Sequence, residues 1–91
     1  MEVSFDPAKD ERNIRERGLS FELAGEFDFE TALYQPDIRR NYGEERIRAL
    51  GRLNGRVHAL VFVETPEGIR VISFRKANAR EVRIYGQETQ A

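Results

Sequence analysis

The chain has 91 residues, 40% of them hydrophobic and 34% charged, with a net charge of −1. A single domain of this size buries only about 60–65% of its unfolded surface, so its stability is modest and a partner chain can matter. The lack of cysteine excludes a disulfide framework and a thiolate metal site, no 18-residue apolar run offers a membrane span, and near-neutral charge argues against a simple basic nucleic-acid binder.

Met1-Glu2-Val3 has neither the basic start nor the apolar core of a signal peptide, so a cytoplasmic setting is expected. Val3-Ser4-Phe5 alternates and suits a short strand. Asp6-Pro7 starts a helix, since Asp caps and Pro fits the first helical position, where its missing N–H is harmless. Residues 7–17 are polar almost all round, with Ala8 and Ile14 the clearest apolar positions, so this helix lies on a surface. Gly18 ends it, because glycine tolerates the left-handed conformation at a helix C-terminus. Ser20 caps a second short helix running from Phe21 to about Gly25, with Phe21 and Ala24 on the face that covers the sheet. Residues 31–35 form a modest strand candidate stopped by Pro36-Asp37. Residues 37–43 read as a polar, solvent-exposed loop with Arg39-Arg40 at its centre.

Residues 45–53 and 56–64 flank Asn54-Gly55, the strongest short-range hairpin signal, because a type I′ turn needs positive φ at both positions. A two-residue loop sets Leu53 opposite Arg56, Gly51 opposite His58, Ala49 opposite Leu60 and Ile47 opposite Phe62. Pro66-Glu67-Gly68 then turns into a strand over 69–75. With a three-residue loop, Phe62 pairs with Ile72 and Leu60 with Phe74. Ile47, Leu60, Phe62, Ile72 and Phe74 then share the core face, and Arg46, Arg48, Arg52, Ser73 and Arg75 share the other. The predicted architecture is α+β: a small antiparallel meander with two N-terminal helices and one C-terminal helix.

The last strand hands directly to that helix. Asn78 with Glu81 three residues on is the spacing of a reciprocal capping box. Tyr85 follows Val82 by three positions and anchors the helix, while the polar tail from Gly86 is expected to fray. Charge is segregated along the chain. Residues 1–35 carry 9 acids against 4 bases, whereas residues 69–91 carry 2 acids against 5 bases. A local positive field of this kind can recruit an anion although the whole molecule is near neutral.

Two readings of the arginine face stay open on residue types alone. Arginine stems can cover apolar sheet surface while their heads reach water; alternatively the guanidiniums converge on a shared anion, such as an RNA phosphate or an acidic partner. His58 is the only histidine, which excludes a two-histidine acid–base pair; its register points it to the core, in a structural role. Glu45 and Glu64 meet at the open end of the hairpin, with Glu64 across from Arg70, and read as a surface ion-pair cluster. Zinc-type spacing, a Ser/His/Asp order and a Gly-rich phosphate loop are all missing, so neither metal nor cofactor is expected. Tyr34, Tyr42 and Tyr85 can stack on bases or pack half-buried.

Four stretches, in order, resemble the BrnT family of bacterial toxins. They are Phe5-Asp6-Pro7-Ala8-Lys9, Arg17-Gly18-Leu19-Ser20-Phe21-Glu22, Glu44-Glu45-Arg46 through Gly51-Arg52, and the run from Val71 to Tyr85. Arg17 stands where members often carry histidine. The resemblance implies one toxin domain over residues 1–91, a RelE-like fold and an endoribonuclease acting by metal-independent attack of a ribose 2′-oxygen. It also implies a cognate BrnA-like antitoxin with a ribbon-helix-helix part, so that DNA is bound only through the antitoxin. On this reading Arg52 and Arg75 hold the phosphate, Arg46 and Lys76 are second in rank, and Arg48, Arg80 and Arg83 position the RNA backbone. The general base is unassigned, with Lys76 or a water left to serve. The rival class is a non-enzymatic binding module whose arginine face docks an acidic partner.

Overall fold

The computed structural model describes residues 1–89. Its elements are β1 (Glu2–Ser4), α1 (Pro7–Arg17), a 3-10 helix (Phe21–Glu26), β2 (Leu33–Pro36), β3 (Ile47–Leu53), β4 (Arg56–Glu64), β5 (Gly68–Lys76) and α2 (Ala79–Thr89). The caps form as the sequence predicts. Asp6 accepts from the Ala8 N–H, and Gly18 closes α1 with φ +65°. Ser20 accepts from the Glu22 N–H to start the 3-10 helix. Of the tail expected to fray from Gly86, residues up to Thr89 are helical, and residues 90–91 lie outside the described residues.

The strands form one sheet in the order β1-β5-β4-β3-β2. The β2–β3, β3–β4 and β4–β5 pairs are antiparallel. The expectation of a purely antiparallel sheet is corrected at its edge, where β1 pairs parallel to β5. Between β1 and β5 lies most of the chain, which supplies the long connection that a parallel pair needs. Gly68 permits the contact, since a Cβ there would run into the Glu2 backbone. The Asn54-Gly55 turn has positive φ at both residues, and the predicted β3–β4 register holds from Leu53 with Arg56 to Ile47 with Phe62; the ladder stops there, so the expected pairing of Glu45 with Glu64 does not form.

The β4–β5 register differs from expectation near its turn. Thr65 and Gly68 bond each other reciprocally across Pro66-Glu67, so the loop is one residue tighter than expected. Glu64 pairs with Ile69, Val63 with Arg70 and Phe62 with Val71. The ladder then slips at Val61/Phe62, and beyond it Leu60 pairs with Phe74 as expected. Ile72 is the extra residue of a β-bulge. Ile69 and Val71 therefore fill the core in place of Ile72, which is only half-buried. Arg70 leaves its expected partner Glu64 and joins the arginine side.

The core lies between one sheet face and the N-terminal helices. Leu19, Phe21, Ala24 and Phe27 pack on Ala49, Leu53, Leu60, Phe62, Ile69, Val71 and Phe74. Gly51 is needed here, because a Cβ at that position would come within 2.5 Å of the Phe27 ring. Polar groups pin the N-terminal segment to the sheet. The Asn13 side chain donates to the carbonyls of Leu19 and Phe74, both at 2.9 Å. Asp10 accepts from the Phe21 N–H at 2.7 Å. α2 contacts β3, and its buried Tyr85 donates a hydrogen bond to the Thr31 carbonyl at 3.3 Å.

Candidate active site

The site starts from the junction of β5 and α2. Asn78 and Glu81 form the reciprocal capping box, with the Asn78 side chain accepting from the Glu81 N–H at 2.8 Å and the Glu81 carboxylate accepting from the Asn78 N–H at 2.9 Å. This turns the Glu81 carboxylate back over the end of β5. There it receives both terminal nitrogens of Arg75, at 2.7 and 3.0 Å. A bidentate fork of this kind is the strong form of an Arg–carboxylate pair. The Glu81 side chain is only 14% exposed. The bond from Arg75 holds the Glu81 carboxyl below its ordinary range, and the same bond raises Arg75.

Beside this pair lies a cavity of about 500 Å³. Arg48 from β3, Arg75 from β5 and Arg39 from the loop after β2 supply its positive charge, and Glu81 and Glu88 of α2 its negative charge. Tyr34, Leu50 and Ile84 are among the groups that give it an apolar part. Arg48 stands opposite Val61, which stands opposite Ser73, so the three lie in one row across the sheet on the Arg75 side. Among the described residues Arg48 forms no ion pair, which leaves its guanidinium available to an incoming anion.

The other expected site residues are placed as follows. Arg52 is on the same sheet face but does not line the cavity. Its guanidinium lies 5.5 Å from the centre of the Tyr85 ring, within cation–π range, and its Nη1 donates to the Gly55 carbonyl at 3.4 Å. Arg46 lies 4.0 Å over the Tyr42 ring and donates to Glu44 at 3.0 Å. Glu44 also accepts from Arg70 at 2.8 Å, so the end cluster forms on Glu44 and not on Glu64. Lys76 pairs across from His58, so strand alternation sets it on the opposite sheet face from Arg75. Arg80 and Arg83 are exposed on α2 and line no part of the cavity. His58 is buried, with Nδ1 2.8 Å from the Arg56 carbonyl oxygen and its ring against Phe74.

Two functional candidates lay outside the expected set. Glu81 was legible as a cap, but its bond to Arg75 depends on where the cap turns the side chain. Arg39 read as an exposed loop residue, and its side chain is 60% exposed. Its head is nevertheless fixed by a fork to the buried Asp37, with Nε and Nη2 each 2.8 Å from a carboxylate oxygen. The Asp37 side chain has no exposed surface. A charged side chain buried with its partner two residues away has no periodic signal to announce it.

This fork makes the loop acid-sensitive. Hydrogen bonding from Arg39 pulls Asp37 from its ordinary 3.8 down to about 2, against the opposing effect of burial. A depressed folded-state value means stability that is fully present above the unfolded value and lost as pH falls through the folded one. We expect the Asp37 carboxyl carbon to titrate near pH 2 by NMR, and the loop to loosen from about pH 4 downward. A midpoint at the ordinary value for aspartate would show that the fork does not persist in solution.

Fold and site together define a small α+β protein with a cleft lined by Arg39, Arg48 and Arg75 beside the Glu81 carboxylate. The chain belongs to the BrnT family, described as the ribonuclease toxin BrnT of type II toxin–antitoxin systems, whose family model matches residues 5–81. Membership makes it a toxin of the ribonuclease class and implies an antitoxin partner and an RNA substrate. No curated protein matches the sequence.

Proposed function

We propose that this chain is a RelE-like endoribonuclease toxin that cleaves RNA without a metal ion and is neutralised by a BrnA-like antitoxin. The observation that carries this is the cavity where Arg48 and Arg75 reach one space from two strands. Two guanidiniums set on a rigid sheet can grip a phosphodiester and stabilise the charge that builds on its oxygens during attack. Arg39 adds positive charge at the rim, and Arg80 and Arg83 on the outer side of α2 can steer the RNA backbone. Arg52 is assigned a positioning role, through its contact with Tyr85.

The reaction is attack of a ribose 2′-oxygen on the adjacent phosphorus. The products carry a 2′,3′-cyclic phosphate or 3′-phosphate and a 5′-hydroxyl. The antitoxin covers the arginine face in the cytoplasm, and its ribbon-helix-helix part supplies all DNA binding. One observation favours the rival reading of a binding module: Arg75 already holds a carboxylate, as an acidic partner would require. Cleavage by the isolated chain separates the two. RNA should be cut equally with and without EDTA, and a matched strand with 2′-deoxy substitution should stay intact. Complete loss of activity in EDTA, or cutting of the deoxy strand, refutes this chemistry.

A further inference from the structure

The ribonuclease reading leaves the proton of the attacking 2′-hydroxyl without an acceptor. Lys76 is on the other sheet face. His58 is buried on the core side with Nδ1 engaged. Two carboxylates line the cavity, Glu81 and Glu88. Glu88 lies seven residues further along α2, or about 10 Å at the helical rise, from the carboxylate that touches Arg75. Glu81 is the one within contact of the phosphate-binding guanidinium, at 2.7 Å.

We propose that Glu81 is the general base of the cleavage: as the scissile phosphate draws Arg75 onto itself, the released Glu81 carboxylate takes the proton of the attacking 2′-hydroxyl. This rests on the ribonuclease reading above. In the step, the 2′-oxygen forms a bond to phosphorus and the bond from phosphorus to the 5′-oxygen breaks. The 2′-hydroxyl proton passes to Glu81, which returns it to solvent water, and the departing 5′-oxygen takes a proton from water. The carboxylate ends as it began, and the bonds made and broken at phosphorus balance.

The geometry couples binding to basicity. In the free protein Arg75 ties up both carboxylate oxygens, and this bond is the main cause that keeps Glu81 acidic. A phosphate that competes for Arg75 removes that cause, so the base strengthens when substrate arrives. The charged and titratable groups around Glu81 are Arg75 on β5, Arg48 on β3, Tyr34 on β2, Arg39 in the following loop and Glu88 on α2 itself. The free protein thus carries an internal carboxylate on the clamp that the substrate needs.

The test is Glu81→Gln in the full chain, assayed beside wild type for cleavage of a short RNA and for binding of its uncleavable 2′-deoxy counterpart. Glutamine keeps the capping box, so the helix start is retained. The expected result is a fall in kcat on the order of 100–10,000-fold, the usual share of a general base. Binding of the deoxy strand should hold or tighten, because an internal competitor for Arg75 is weakened. The acid limb of the pH–kcat profile should disappear in the variant. If kcat stays within about threefold of wild type while binding tightens, Glu81 is only a plug on the clamp and the proposal falls. If deoxy-strand binding collapses, Glu81 is structural and the proposal also falls. A wild type that cuts nothing refutes the ribonuclease reading, and the proposal with it.

Discussion

Replacing Arg75 by alanine is expected to slow RNA cleavage about 100–1,000-fold, equivalent to ~2.7–4 kcal/mol by analogy with loss of one preorganised oxyanion donor. Arg75 is a fork held on a β-strand, with its partner supplied by a capped helix start. In the free protein this bond holds the guanidinium at the cavity, and the phosphate takes it over from Glu81. The loss should fall on kcat more than on KM, because the phosphate oxygens gain charge only as the new bond forms. Folding stability should drop far less, on the order of 1 kcal/mol, since the pair is partly exposed. Arg40→Ala is the comparison, because Arg40 lies outside this cavity and should change the rate little. Steady-state kinetics of both variants on one substrate, with thermal melts alongside, read the result. Equal losses at the two positions would show that the cavity does not bind the reacting phosphate.

Phe74→Ala should have the largest effect on stability, about 3–5 kcal/mol by the usual cost of emptying a buried aromatic site. Phe74 is 1% exposed. Its ring meets Phe27 edge-on with centroids 6.3 Å apart and packs against His58 at 5.5 Å. Its carbonyl also receives the Asn13 side chain, so the strand position ties α1 to the sheet. The residues around it come from three separate stretches and cannot all close on the void. For a small domain with a total of roughly 5–15 kcal/mol, a loss of that size leaves a protein near its unfolding midpoint. Urea unfolding checks this, and a change under about 1 kcal/mol would mean that the core collapses onto the gap. Phe74→Leu should recover much of the loss by filling volume.

How far the sequence could be read depended on how many residues a decision involved. The Asn54-Gly55 turn allows one loop length, and the whole β3–β4 register follows from it, placing Arg48 and Arg52 on one face without further information. The caps at Asp6, Ser20 and Asn78 were equally local. The β4–β5 turn was not, because Pro66-Glu67-Gly68 is compatible with two loop lengths and apolar alternation could not detect the bulge at Ile72. β1 gave no sign of its parallel pairing, since three residues show alternation but not direction. At the site, the arginine face was legible as a period of two. The division of labour within it was not, because Arg52, Arg46 and Arg75 are distinguished by what lies above them: Tyr85, Tyr42 and Glu81. Those contacts come from α2 and from the loop before β3, whose placement no local pattern encodes.

The bulge at Ile72 has a consequence in arithmetic. Arg70 and Arg75 are an odd number of positions apart, and on an unbroken strand odd spacings face opposite ways. The extra residue changes the parity once, so both arginines stand on the same side of β5. Deleting Ile72 would therefore leave an unbroken strand with its faces unchanged: Arg70, Ser73 and Arg75 would stay on one side, and Ile69, Val71 and Phe74 on the other. A one-residue insertion in the Pro66-Glu67 turn is different. If the strand straightened to absorb it, Ile69, Arg70 and Val71 would all change sides, turning two core residues outward. Length changes in this strand should thus be tolerated at the bulge and costly at the turn.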